Sequence, residues 1–147
     1  MKLHTASEVI SFAKELENQS ARFYENLSRR YARDEDFFQS LAKENGKNIV
    51  QIKTAYYSVI TDAIEGCFAF DIDSDEYMLE TELADKGSYL DALDKAVGIE
   101  EKMIKFYSDA AQQSKSMMAD VSRNFVIVAN KRNKRIPKLK SLVEKTG

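Results

Sequence analysis

Cysteine, histidine and proline each occur once in this 147-residue chain, glycine occurs five times and tryptophan not at all. A lone thiol, Cys67, closes no intrachain disulfide and supplies no cysteine-based zinc, rubredoxin or iron–sulfur site. A thiol-bearing chain without bridges suits a reducing cytoplasm. The lone histidine, His4, stands near the N-terminus, where chains tend to fray. It allows no Ser/His/Asp triad, HExxH zinc motif or multi-histidine metal site, so most hydrolase chemistry is disfavoured. Six turn-punctuating residues leave few breaks, which points to long helices with short connections. No run approaches about 18 continuous apolar residues, and MKLHTASEVI lacks a signal-peptide core. The expectation is one soluble, unprocessed, cytoplasmic domain over residues 1–147, with no membrane partner and no rubredoxin domain.

Charge is present in quantity but nearly balanced, 24 acids against 22 bases, a net of −2 that attracts neither nucleic acid nor anionic membrane. Its distribution is uneven. Residues 71–94 carry nine acids and one base, whereas residues 131–147 carry seven bases and one acid. The basic tail has no interleaved aromatics, so it reads as a solvated helix end, and no nucleic-acid partner is expected. The opposite local charges could pair within the molecule or between subunits.

Capping and periodicity place four helices. Thr5-Ala-Ser-Glu8 has the spacing of a capping box, opening a helix from about 6 to 31. Asp34 can cap a second, from about 35 to the early 60s, and Ser88 with Asp91 a third, from about 89 to 113. A fourth starts near Ser116 and runs to about 144, with a kink or restart at Pro137. About 25 residues, 64–88, separate the second from the third, too many for a simple turn.

Each helix carries an apolar stripe stepping by three and four residues, and each stripe is interrupted at its middle by polar residues. The first reads Ile10, Ala13, Glu17, Ser20, Tyr24, Leu27, and the third Leu93, Val97, Glu100, Ile104, Tyr107, Ala111. The second carries Asn45 and Asn48 between Leu41 and Ile52, and the fourth Arg132 and Arg135 between Val128 and Leu139. Glu17 with Phe23-Tyr24 recurs as Glu100 with Phe106-Tyr107 at an offset of 83. Phe38, Asn45 and Asn48 recur as Phe125, Arg132 and Arg135 at an offset of 87. The fold expected is all-α: an antiparallel four-helix bundle of two helical hairpins joined by a long crossover connection, with six polar residues in a central layer.

These residues resemble the ferritin-like, rubrerythrin-type di-iron proteins. Members carry one Glu on the first helix of each hairpin, seven residues before a Tyr, and Glu-x-x-His on each second helix, all facing inward to bind two metals. Glu17 to Tyr24 and Glu100 to Tyr107 keep that spacing, but Asn45 and Asn48 occupy one Glu-x-x-His pair and Arg132 and Arg135 the other. Glu17 and Glu100 are balanced in charge by the two arginines without metal. The resemblance therefore implies a ferritin-like protein that has lost its di-iron centre. Two Glu–Arg pairs bridged by Asn45 and Asn48 would replace it, Tyr24 and Tyr107 would lie alongside, and no cofactor is expected. The role implied is non-catalytic binding or assembly. The alternative is a di-iron oxidoreductase or ferroxidase holding iron through Glu17, Glu100 and Glu44. A third option is a small-molecule pocket in which the arginines hold an anion.

Other features carry less. Asp71, Asp73, Asp75 and Glu82 have the spacing of calcium-loop acids, but Glu76 occupies the glycine position, so an acidic exposed connection is the expectation. Cys67 lies in an apolar stretch and reads as a small buried hydrophobe, and Met117 and Met118 as packing residues. Tyr56, Tyr57, Val59 and Ile60 make the second helix apolar on more than one face near its end, which points to a homodimer or to contact with the long connection. A protein or small-molecule partner beyond that is not identified.

Overall fold

The computed structural model describes residues 1–59 and 68–146; Ile60 and Cys67 lie outside them. The protein is mostly helical. Helix α1 spans Ala6–Arg30 and α2 spans Glu35–Val59, separated by a 3-10 turn at Ala32–Asp34. Helix α3 spans Tyr89–Ser114, α4 Ala119–Asn133 and α5 Arg135–Thr146. A short strand β1, Lys2–Thr5, precedes α1, and β2, Phe68–Asp73, precedes a 3-10 turn at Ser74–Tyr77.

The helix starts follow from local chemistry. Thr5 accepts from the Glu8 amide while Glu8 reaches back to the Thr5 amide, and Ser88 and Asp91 do the same for α3. Asp34 lies in the 3-10 turn, and its carboxylate accepts from the Tyr89 hydroxyl at 2.5 Å. The expected fourth helix begins at Ala119 rather than Ser116, and it breaks at Lys134 rather than at the proline. Pro137 has no N–H to give to the Asn133 carbonyl four residues back, and its ring crowds that carbonyl, so the break falls upstream of the proline.

The helices pack together around one core. Contacts between α1 and α2 run in opposite senses, Glu17 to Asn48 and Tyr24 to Phe38, and those between α3 and α4 do likewise, Glu100 to Arg132 and Ala111 to Ser122. The pairs α1 with α3 and α2 with α4 are also antiparallel, with Tyr24 on Glu100, Glu17 on Tyr107 and Asn45 on Arg132. Phe12, Phe106 and Tyr77 form a chain of edge-on ring contacts on one side of this core.

The two strands depart from the all-α expectation. β1 pairs antiparallel with β2, Leu3 opposite Ile72 and Thr5 opposite Phe68, with an irregularity between them at His4. Leu3, Phe70 and Ile72 are buried while Lys2 and Asp71 are exposed, the alternation of a half-buried sheet. His4 is not frayed: its Nδ1 lies 3.3 Å from the Phe70 carbonyl oxygen. The chain then follows α3. Asp71 is bonded to Gln113, Glu76 to Lys102 and Glu82 to Lys95, and the carbonyls of Ala84 and Asp85 accept from Arg30 at the end of α1.

The calcium-loop acids are spread over this route. Asp71 is on the strand beside Lys2, and Asp73 accepts from the Asp75 amide and the N-terminal ammonium. Among the described residues no group of His, Cys, Asp and Glu side chains is placed to hold a metal. No ion pair joins the acidic segment 71–94 to the basic segment 131–146 among those residues. Among the described residues no helix is long and apolar enough to cross a membrane. Met118 packs in the core but Met117 is exposed, and Tyr56 is buried while Tyr57 is exposed.

Candidate functional site

The mid-stripe residues of α1, α2, α3, α4 and α5 meet in one layer. Glu17, Asn45, Asn48, Glu100 and Arg132 are fully buried, and Arg135 is 2% exposed. At their centre stands the Arg132 guanidinium, each of whose three nitrogens has an acceptor. Its Nε and Nη2 form a fork on the two oxygens of Glu17 at 3.0 and 2.9 Å, and its Nη1 donates to both oxygens of Glu100 at 2.6 and 2.7 Å. Nη2 also donates to Asn45 Oδ1 at 2.6 Å, with Ser20 Oγ at 3.4 Å. Burying a guanidinium costs several kcal/mol in lost hydration. Hydrogen bonds from all three nitrogens and two carboxylates offset that cost. Burial works to lower the Arg132 pKa, but Glu100 and Glu17 outweigh it and hold the group well above its ordinary value.

Tyr24 of α1 donates to Glu100 Oε2 of α3 at 2.9 Å, and Tyr107 of α3 donates to Glu17 Oε2 of α1 at 2.6 Å. The seven-residue spacing explains this exchange, because on two antiparallel helices it sets each tyrosine opposite the other helix's glutamate. Burial, then the neighbouring carboxylate, pushes both phenols well above the usual value.

Arg135 has a different role from Arg132. It reaches Glu100 only at 3.4 Å and forms no hydrogen bond or ion pair with Glu17. Its Nη2 donates to the Leu41 carbonyl at 3.2 Å, to Asn45 Oδ1 at 3.3 Å and to Glu44 Oε1 at 3.1 Å, and its guanidinium lies 5.6 Å from the Tyr24 ring centre. The network is therefore not two separate Glu–Arg pairs. One arginine serves both buried glutamates, and the second fastens the layer to Glu44 at its edge. Nor do both asparagines bridge: Asn45 accepts from both arginines, while Asn48 donates to Glu17 at 3.3 Å. Asn45 Nδ2 and Asn48 Oδ1 are buried with no hydrogen-bond partner.

Ser20 and Glu44 join the layer beyond the six expected residues, Ser20 through Arg132 and Glu44 as an ion-pair partner of Arg135 rather than as a metal ligand. Glu44 follows from its position next to Asn45, a quarter-turn off the stripe and level with Arg135. The Leu41 carbonyl has no side-chain signal that could have identified it.

This donor set does not fit a di-iron centre. Every oxygen of Glu17 and Glu100 already has a donor within 3.0 Å, and a permanent cation stands between the two carboxylates. The third carboxylate, Glu44, is turned to Arg135 with its side chain 37% exposed. Asparagine carbonyls are weak iron ligands and arginine does not ligate at neutral pH. Comparison of the chain with protein-family models, with curated proteins and with solved structures gives no match.

Proposed function

We propose that this chain is a ferritin-like bundle in which an arginine-centred polar network stands where the di-iron centre would be, and that it acts as a non-catalytic scaffold in binding or assembly. The observation that carries this is the Arg132 guanidinium, bonded to both buried glutamates through three nitrogens. A fixed cation bonded to both carboxylates rigidifies the middle of the bundle and leaves no carboxylate oxygen of Glu17 or Glu100 open to a metal. The ferritin-like connectivity is supported by the route of the described part of the segment between α2 and α3, residues 68–88. Its contacts pass from Gln113 through Lys102 and Lys95 to Arg30, as a crossover along the bundle would. Assembly as a homodimer belongs to the same reading, with Val50 and Tyr57 exposed seven residues apart on α2.

The test is metal content. Protein purified after growth with ample iron should carry no stoichiometric iron, and the metal-free form titrated with ferrous iron in air should show no ferroxidase absorbance. Two irons per chain with such a signal would instead establish the oxidoreductase alternative through Glu17, Glu100 and Glu44.

A further inference from the structure

On the face where α2 meets α4 and α5, a groove of about 570 Å³ lies over Arg135. Lys43 and Lys47 line it from α2, and Lys131, Lys134 and Lys138 from the α4–α5 side. With Arg135 these five lysines face a single acid, Glu44, leaving the lining at a formal net of +5 in a protein whose total is −2. Glu44 is already engaged by Arg135, and among the described residues none of the five lysines has a carboxylate partner. Lys131 is held by Gln51 at 2.8 Å, which positions its charge without neutralising it.

Such an arrangement is unfavourable for the fold alone. Lys43 and Lys47 are like charges four residues apart on α2, a spacing that destabilises helices, and Lys134 and Lys138 line the same groove from the other side. An anion between them removes the repulsion.

We infer that this groove binds a small oligophosphate, recognised by its chain of phosphate groups. Its volume suits a small ligand rather than an extended polymer. Lysines are point-charge phosphate binders. No aromatic side chain lines the groove, so there is no surface on which a nucleobase would stack. The bound anion sits outside the fully buried layer and meets it at Arg135 and Glu44.

The test is calorimetric titration of the full chain with sodium tripolyphosphate, and separately with adenosine triphosphate, at fixed ionic strength. Tripolyphosphate should bind one per chain, adenosine triphosphate no more tightly, and added salt should weaken both. Lys134→Gln/Lys138→Gln on one wall and Lys43→Gln/Lys47→Gln on the other should each weaken binding roughly tenfold or more. Lys14→Gln/Lys115→Gln, which removes the same charge elsewhere on the surface, should change it little. Glu44→Gln should strengthen it. Circular dichroism verifies that each variant is folded, since all six substituted lysines are exposed. Equal weakening by the Lys14/Lys115 variant, or heats no larger than those of sulfate at matched ionic strength, would overturn the inference. So would groove variants that alter only self-association, because the occupant would then be the acidic segment of a second copy.

Discussion

On α1 and α3 the polar centre is symmetric. Glu17 and Tyr24 are matched by Glu100 and Tyr107, and each tyrosine donates to the opposite helix's glutamate. On α2, α4 and α5 the same layer is lopsided, with two short amides, Asn45 and Asn48, facing two long cations, Arg132 of α4 and Arg135 of α5. The asymmetry is sterically coherent. Arg132 spans the full width of the layer to reach both glutamates, and the small Asn45 opposite leaves it room while taking one of its hydrogen bonds. A repeat can therefore keep its scaffold half and alter its chemistry half, provided the altered side chains remain complementary in volume and charge.

The sharpest way to break that comparison is at Arg132. Arg132→Leu removes the cation shared by two buried carboxylates and leaves Glu17 with no arginine, and breaking a buried ion pair this way costs roughly 3–5 kcal/mol. It should exceed the loss from Glu17→Ala, because Arg132 then still keeps Glu100. The double variant Glu17→Ala/Arg132→Leu should lose less than the sum of the two single losses, the sign of coupling within a shared network. Urea unfolding of the three variants measures this, and additive losses would show that the guanidinium and the carboxylate act independently.

A smaller effect tests the symmetric half. Tyr24→Phe and Tyr107→Phe each remove one hydrogen bond to a carboxylate, about 1.5–3 kcal/mol, and the two losses should be similar. Both phenols are held above their ordinary pKa of 10.0, so their contribution is complete below pH 10 and is lost as the pH rises through the higher folded value. Stability of the natural protein should thus fall with rising alkalinity above pH 10, and the Tyr24→Phe/Tyr107→Phe variant should fall less steeply. Absorbance titration of tyrosine ionisation should show fewer phenols titrating only on unfolding in the Tyr24→Phe/Tyr107→Phe variant than in the natural protein.

The sequence made the helices legible because their stripes are long and their caps explicit. It also identified the six residues that share the layer, since polar residues at mid-stripe have nowhere to go but inward. How they pair was not legible. Whether Arg132 faces one glutamate or two depends on the distance between helices, which no spacing within a helix encodes. The strands were missed for another reason. Phe70, Asp71, Ile72 and Asp73 do alternate, but the partner strand has only Leu3 as a buried anchor, and two such short signals acquire meaning only when paired. The lysine groove was hidden because its walls lie about 90 residues apart, so the basic run of the tail looked like a solvated face until Lys43 and Lys47 were set against it.

The finest comparison between the halves lies at the helix starts. Each hairpin's first helix opens with a capping box, but Glu8 is longer than Asp91. Glu8 reaches the amides of both His4 and Thr5 at 3.1 Å, whereas Asp91 reaches only Ser88, at 3.4 Å. Ser88→Ala should cost about 1 kcal/mol through the lost cap, measured by thermal unfolding. At the other box the informative variable is pH. The His4 and Thr5 amides hold the Glu8 carboxyl below its ordinary value of 4.5, so its contribution is present above that pH and is lost as the pH falls through the lower folded value. Glu8→Gln should flatten the acid side of the stability profile slightly. Because His4 belongs to β1, the same substitution should also speed amide exchange in the strand. A flattened profile with unchanged exchange would mean that Glu8 caps α1 without holding β1 to it.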